Sequence, residues 1–188
     1  MKRRIITIVS VVMALMMICS LAGCKSSGSP AEQTETPAAQ SETQAAAKSS
    51  TAAIDPADAI FYFRGIKIEL NAELEPILAP LDEPLSVSSQ LSCHGEGEDK
   101  TYTYDGFIIN TYPLEGKDRI LEVVIQNAGI PTTKGVQVGD PVSKVTEAYG
   151  DGYRAVGMYY AYDAGDGKSL QFFIENDTIK EIDYYYDV

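Results

Sequence analysis

The chain has 188 residues, with 27 acidic and 15 basic side chains and a formal net charge of −12. That balance excludes the nucleic-acid backbone and anionic lipid headgroups as natural electrostatic partners, because like charge repels them. His94 and Cys93, the one histidine and the one cysteine beyond residue 24, are too few for a transition-metal site.

Met1-Lys-Arg-Arg4 is a positive start, Ile5 to Leu21 is an apolar run, and Leu21-Ala-Gly-Cys24 closes it. This pattern resembles a bacterial lipoprotein signal ending in a lipobox. The resemblance implies that residues 1–23 are a signal peptide, and that Cys24 is diacylated on sulfur and becomes the new N-terminus. It places the chain on the outer face of the cytoplasmic membrane, held through the lipid on Cys24. The alternative is a plain transmembrane anchor, since the apolar run is nearly long enough to span. Small residues just before the cysteine and a polar tail after it favour the lipoprotein reading.

Residues 25–57 are rich in Ser, Thr, Ala, Gln, Glu and Pro, with no aromatic residue and one large aliphatic, Ile54. Such a segment buries too little to offset its ordering entropy, so 24–57 reads as the lipidated cysteine followed by a disordered tether. Its span of roughly 30 Å holds a domain clear of the membrane. The domain is then 58–188, with 23 acidic against ten basic side chains, and all twelve tyrosines lie from Tyr62 onward.

Within that domain, Ile60-Phe-Tyr-Phe63 and Ile66-Lys-Ile68 read as strands about a turn at Arg64-Gly65. Asn71 reads as the cap of a helix from Ala72 to about Leu81, with Pro76 awkward inside it. Strands follow at Leu85 to Cys93, Thr101 to Asp105, Phe107 to Tyr112 and Arg119 to Gln126, with an acidic Gly-rich loop from His94 to Lys100. Gly135-Val-Gln-Val138 reads as a strand and Asp140-Pro141 as the start of a helix carrying Val142, Val145 and Tyr149 on one face, ended by Gly150. Strands near Gly157 to Tyr162, Ser169 to Glu175 and Thr178 to Tyr186 complete the chain.

The two halves share an order of elements. Gly65-Ile-Lys-Ile68 parallels Gly135-Val-Gln-Val138; Leu74, Ile77 and Leu81 parallel Val142, Val145 and Tyr149; Ile120 to Ile125 parallels Ile179 to Tyr184. The fold class expected is therefore α+β: two tandem strand–helix–antiparallel meander repeats, about 60–128 and about 133–188, with helices packed on one face of an antiparallel sheet. The motif Gly-Val-x-Val-Gly-Asp-x-x-x-x-Val-x-x-x-Tyr-Gly, followed by strands, resembles the repeat of β-lactamase inhibitor protein-like domains. The run from Ser92 to Pro113 is similar to uncharacterised lipoproteins of clostridia-type Gram-positive bacteria. The first resemblance implies a free sheet face that binds protein; the second implies no activity.

Catalytic patterns are missing. His94 sits beside Cys93, but a Cys–His pair needs ring and thiol brought from separate parts of a fold. There is no Gly-x-Ser-x-Gly elbow or Ser-x-x-Lys pair, and Gly95 to Lys100 is acidic where a phosphate loop cannot be. No catalytic residue, metal ligand or cofactor is assigned, and Cys93 reads as a buried, inert thiol. Strand alternation is more informative. It puts Leu121, Val123 and Ile125, and likewise Leu170, Phe172 and Ile174, toward the helices. The opposite face then carries Ile108, Tyr112, Val124, Phe173 and Tyr185, more apolar than a solvated sheet face usually is. Tyrosine serves interfaces through its rigid area and hydroxyl, although its strand propensity alone would also place it in a sheet. The function expected is a non-enzymatic, lipid-anchored extracytoplasmic module binding an envelope or extracellular protein through this face. The alternatives are a cell-wall-active hydrolase using acidic residues and a receptor for a small ligand or peptide.

Overall fold

The computed structural model describes residues 53–188; Cys24 and the apolar N-terminal run lie outside the described residues. Ile60–Phe63 (β1) and Ile66–Glu69 (β2) form a separate antiparallel hairpin. Its turn takes positive φ at Arg64 (50°) and Gly65 (82°), the backbone that a two-residue hairpin requires. Glu75–Leu78 (α1) is a single helical turn. Four strands follow, Ser86–Leu91 (β3), Glu98–Thr103 (β4), Phe107–Leu114 (β5) and Lys117–Ile125 (β6). Val142–Tyr149 is α2. Arg154–Val156 (β7), Tyr159–Asp163 (β8), Lys168–Glu175 (β9) and Thr178–Tyr186 (β10) end the chain. Among the described residues no helix is long and apolar enough to cross a membrane.

Strands β3 to β10 make one eight-stranded sheet in the order β3-β4-β5-β6-β10-β9-β8-β7, with every pair antiparallel. The long strands β6 and β10 meet at its centre through Val123 opposite Tyr184 and Val124 opposite Asp183. Beyond that contact each is met by a loop. Asn71 to Leu74 bonds β6 at Asp118 and Ile120, and Gly139 to Val142 bonds Ile179 of β10 and Asp177 just before it. These two loops place both helices on the same side of the sheet.

That side holds the core. Tyr102, Ile109, Val123, Tyr184, Leu170 and Tyr162 form one cross-strand row pointing into it. Phe61, Ile68, Leu74, Val136, Val145 and Tyr149 come down from the hairpin, loops and helices to cover them. Two buried tyrosines find partners: Tyr162 OH donates to Gly150 O at 2.7 Å and Tyr149 OH to Thr132 Oγ1 at 2.8 Å.

The α+β expectation is overturned. The described chain is mostly one large antiparallel sheet with two short helices, not tandem strand–helix–meander repeats under a helical layer. Local chemistry explains the difference. Pro76 confines α1 to four residues, because a proline further into a helix would lose a bond and clash. Gly135–Val138 turns instead of extending, since Gly135 N donates to Thr132 O and Thr132 N to Val136 O. Asn71 caps nothing; it stands at φ 62° and accepts from Tyr112 OH. Asp140 does not cap α2 either: its Oδ2 accepts from Gln137 N at 2.8 Å and from Lys144 Nζ at 2.7 Å. Both contacts hold its carboxyl below the usual range, the Lys144 bond being the larger cause.

Two further expectations change. A bulge between Asn110 and Thr111 opposite Ile120 and Glu122 puts Ile120, not Leu121, in the core. Ile54 is buried, its N–H donates to Asp163 O at 2.8 Å, and Pro56–Ala59 forms a 3-10 turn, so the folded body starts before Asp58.

Candidate functional site

The hairpin, the two helices and the core loops all pack on one side of the sheet. The other side presents alternate residues of its central strands, and its buried members Tyr112, Val124, Ala161 and Asp183 stand outside the core cluster. Three cross-strand rows define it. One runs Ile108, Val124, Asp183, Gln171, Ala161. The next runs Asn110, Glu122, Tyr185, Ser169, Asp163. On the other side Glu181 faces Phe173, which faces Tyr159.

The five residues expected on this face divide. Ile108, Phe173 and Tyr185 are half-buried and present apolar surface. Val124, at 8 % exposure, is shielded by its neighbours. Tyr112, at 2 %, is closed off: its OH donates to Asn71 Oδ1 at 2.7 Å, its ring stacks on Tyr186, and the His94 ring packs edge-on against it. In this structure it is packed into the end of the sheet and presents little surface. Cys93, expected buried, is exposed.

The residues that sequence reasoning missed are acids. Glu122, Glu181 and Asp183 stand on the two central strands, diagonal or alternate to one another. Placing Ile182 and Tyr184 in the core already forces Asp183, between them, to the opposite face; the signal was in the alternation. Asn110 Nδ2 donates to Glu122 Oε2 at 2.7 Å, and Gln126 Nε2 donates to Glu181 Oε2 at 3.1 Å. Tyr159 OH donates more weakly to Glu181 Oε1 at 3.4 Å. Asp183 is 6 % exposed, and its Oδ1 has no hydrogen-bond partner. None of the ion pairs among the described residues involves these three acids.

Unpaired burial shows in the titration. Burial, then the nearby Glu181 and Glu122, push the Asp183 carboxyl up to about 8, so at neutral pH it is mostly protonated. Burial also raises Glu122, with Glu181 adding to the rise and the Asn110 bond opposing it. The Tyr159 phenol goes up to about 12, through burial first and then Asp183 and Glu181.

Enclosure is slight. A cavity of about 570 Å³ opens beside the acids, over Arg154, Asp163, Lys168, Gln171 and Tyr185, but none of Glu122, Glu181 and Asp183 lines it. Among the described residues no group of three His, Cys, Asp or Glu side chains is placed to hold a metal ion. The exposed Cys93 and His94 lie on the β3–β4 loop, where His94 Nδ1 comes within 3.8 Å of Asp99 Oδ2.

Neither a protein-family model nor a curated protein matches the chain. Among solved structures it is similar to the crystal structure of the uncharacterized protein yfeY from Escherichia coli, at 16% identity and a TM-score of 0.39, over 64% of this chain and 92% of that one.

Proposed function

We propose that this chain is a lipid-anchored extracytoplasmic module that binds a protein partner through the open face of its sheet. The observation that carries the reading is the asymmetry of that sheet: among the described residues the hairpin and both helices pack on one side, while the centre of the other side keeps half-buried Ile108, Phe173 and Tyr185 around shielded Val124. Aromatic and large aliphatic groups at the centre of a flat patch are the usual anchors of protein interfaces. The lipobox ending at Cys24 supports the anchor, and the charge of −12 supports attraction of a basic partner over an acidic one.

One observation favours the hydrolase alternative, the raised Asp183 carboxyl among other acids, a pattern that proton donors in hydrolysis share. A hydrolase also needs walls around its substrate, and the cavity beside the acids leaves them out. A shallow face with aromatic anchors fits binding better.

The test uses the full chain and a partner recovered with it from envelope extracts and then purified. Phe173→Ala with Tyr185→Ala, checked for an unchanged melting transition, is expected to weaken binding at least a hundredfold. Full binding by that folded double variant would reject the face. Cys24→Ser is expected to abolish labelling by a fatty-acid analogue; retained labelling would reject the anchor.

A further inference from the structure

Three observations on the open face converge. First, the acids at its centre have no basic partner among the described residues, although ion pairs form elsewhere, such as Lys100 to Asp118 at 2.8 Å and Lys134 to Asp58 at 2.8 Å. Second, Asp183 is more than nine-tenths buried among them, and its Oδ1 has no hydrogen-bond partner among the described residues, a costly arrangement for a polar atom. Third, the Phe173 and Tyr159 rings lie together beside Glu181, their centroids 5.1 Å apart. A flat aromatic surface beside carboxyl groups suits one kind of group above others. A guanidinium is planar, stacks on rings, and gives paired N–H donors to a carboxylate.

We infer that the open face receives an arginine side chain of its protein partner at Asp183, with Glu122 and Glu181 flanking the guanidinium and Phe173 and Tyr159 as its apolar wall. The inference rests on the open-face reading and names the chemistry of that partner. A metal ion is the poorer occupant, because these acids are not grouped to ligate one. A purely apolar partner is poorer still, because it would leave the buried Asp183 carboxyl without a donor. The free protein has already taken this carboxyl out of water, so an incoming guanidinium meets an acceptor held in place, and less ordering is left to binding.

The site also couples binding to a proton. The groups facing Asp183 are Glu122 from β6, Glu181 and Tyr185 from its own strand, and Tyr159 from β8; β9 contributes the uncharged Gln171 and Phe173. Arg154 stands three strands away on β7 and is exposed. A guanidinium against Asp183 favours the ionised carboxylate, so the proton leaves to solvent as the complex forms.

The experiment is calorimetry on the full chain in non-ionic detergent at pH 7, with the peptide acetyl-Arg-Leu-Arg-amide as probe. The same peptide with citrulline, which keeps the shape without the charge, is the control. The arginine peptide is expected to bind at least tenfold more tightly and to release close to one proton, read from the heat in buffers of different ionisation enthalpy. Asp183→Asn keeps the neutral shape and is expected to abolish proton release and the preference for arginine. Glu122→Gln is expected to weaken the preference several-fold and serves if Asp183→Asn fails to fold. Equal binding of the two peptides, no binding at millimolar concentration, or an unchanged preference in both variants would overturn the inference. The reading beneath it is scored separately: if Phe173→Ala with Tyr185→Ala abolishes binding of the purified partner while Asp183→Asn does not, the face stands and the arginine site falls. If neither change matters, both fall.

Discussion

Asp183 is the residue on which the account turns, and its titration makes a checkable statement about stability. In the unfolded chain it ionises at the ordinary aspartate value near 4. In the folded chain it holds its proton until about pH 8. Between those values the folded state binds more protons than the unfolded state, so stability falls as pH rises through that window and levels off above it. The loss is of the order of a few kcal/mol at most. Asp183→Asn removes it: the variant should match the parent near pH 4 and exceed it near pH 8 in urea denaturation. A parent whose stability is flat from pH 4 to 8 would contradict the assignment. Tyr112 gives the opposite kind of prediction. It was legible as a residue off the core face, but its closure by Asn71 and the His94 loop was not, because both partners are remote in sequence. Tyr112→Phe should cost about 1 kcal/mol of stability, the worth of one hydrogen bond, and leave partner binding unchanged. A loss of binding without a loss of stability would return Tyr112 to the contact surface.

Among the elements, the strands were the readable part. Alternation and turn residues placed β5, β6, β9 and β10 within a few residues of their ends, because half-buried strands must alternate and hairpin turns need special backbone. Asn176 and Asp177 both take positive φ between β9 and β10, as their chemistry permits. The bulge in β6 was not readable. It inserts one residue without any change in composition, and it moves Leu121 out of the core in favour of Ile120. The helices misled for a related reason: capping residues mark where a helix can start, while here other partners took those side chains, Tyr112 for Asn71 and the neighbouring Gln137 and Lys144 for Asp140. Asp140 is the sharpest case. Asp140→Ala should cost about 1 kcal/mol, through the Gln137 bond and the Lys144 pair. Lys144→Met should cost only a few tenths, as surface pairs do. Val145, fully buried on α2, should cost roughly 1 to 3 kcal/mol when cut to alanine. Equal, negligible losses at Asp140 and Val145 would mean that α2 does not dock on the sheet.

At the scale of the whole molecule, the sequence announced a charged, tyrosine-rich body behind a polar tail, and composition alone drew the boundary near Asp58. The true body reaches back at least to Ile54, which one aliphatic residue in a polar tract could not reveal, since its partner Asp163 is more than a hundred residues away. A chain beginning at Asp58 should therefore be less stable than one beginning at Ala53 by about 2 to 5 kcal/mol, the range for losing a buried isoleucine. Equal stability of the two would show that the Ile54 contact contributes nothing.

The open face of the sheet also belongs to this scale, because only the complete strand order shows that, among the described residues, the hairpin and both helices chose the same side. Photo-crosslinking tests that claim most directly. A benzophenone amino acid placed at Phe173 of the full chain sits on the open face; one placed at Glu147, on the exposed flank of α2, sits on the covered side. The account predicts one discrete crosslinked partner from position 173, lost in the presence of Asp183→Asn, and none from position 147. Crosslinking from 147 but not from 173 would contradict it.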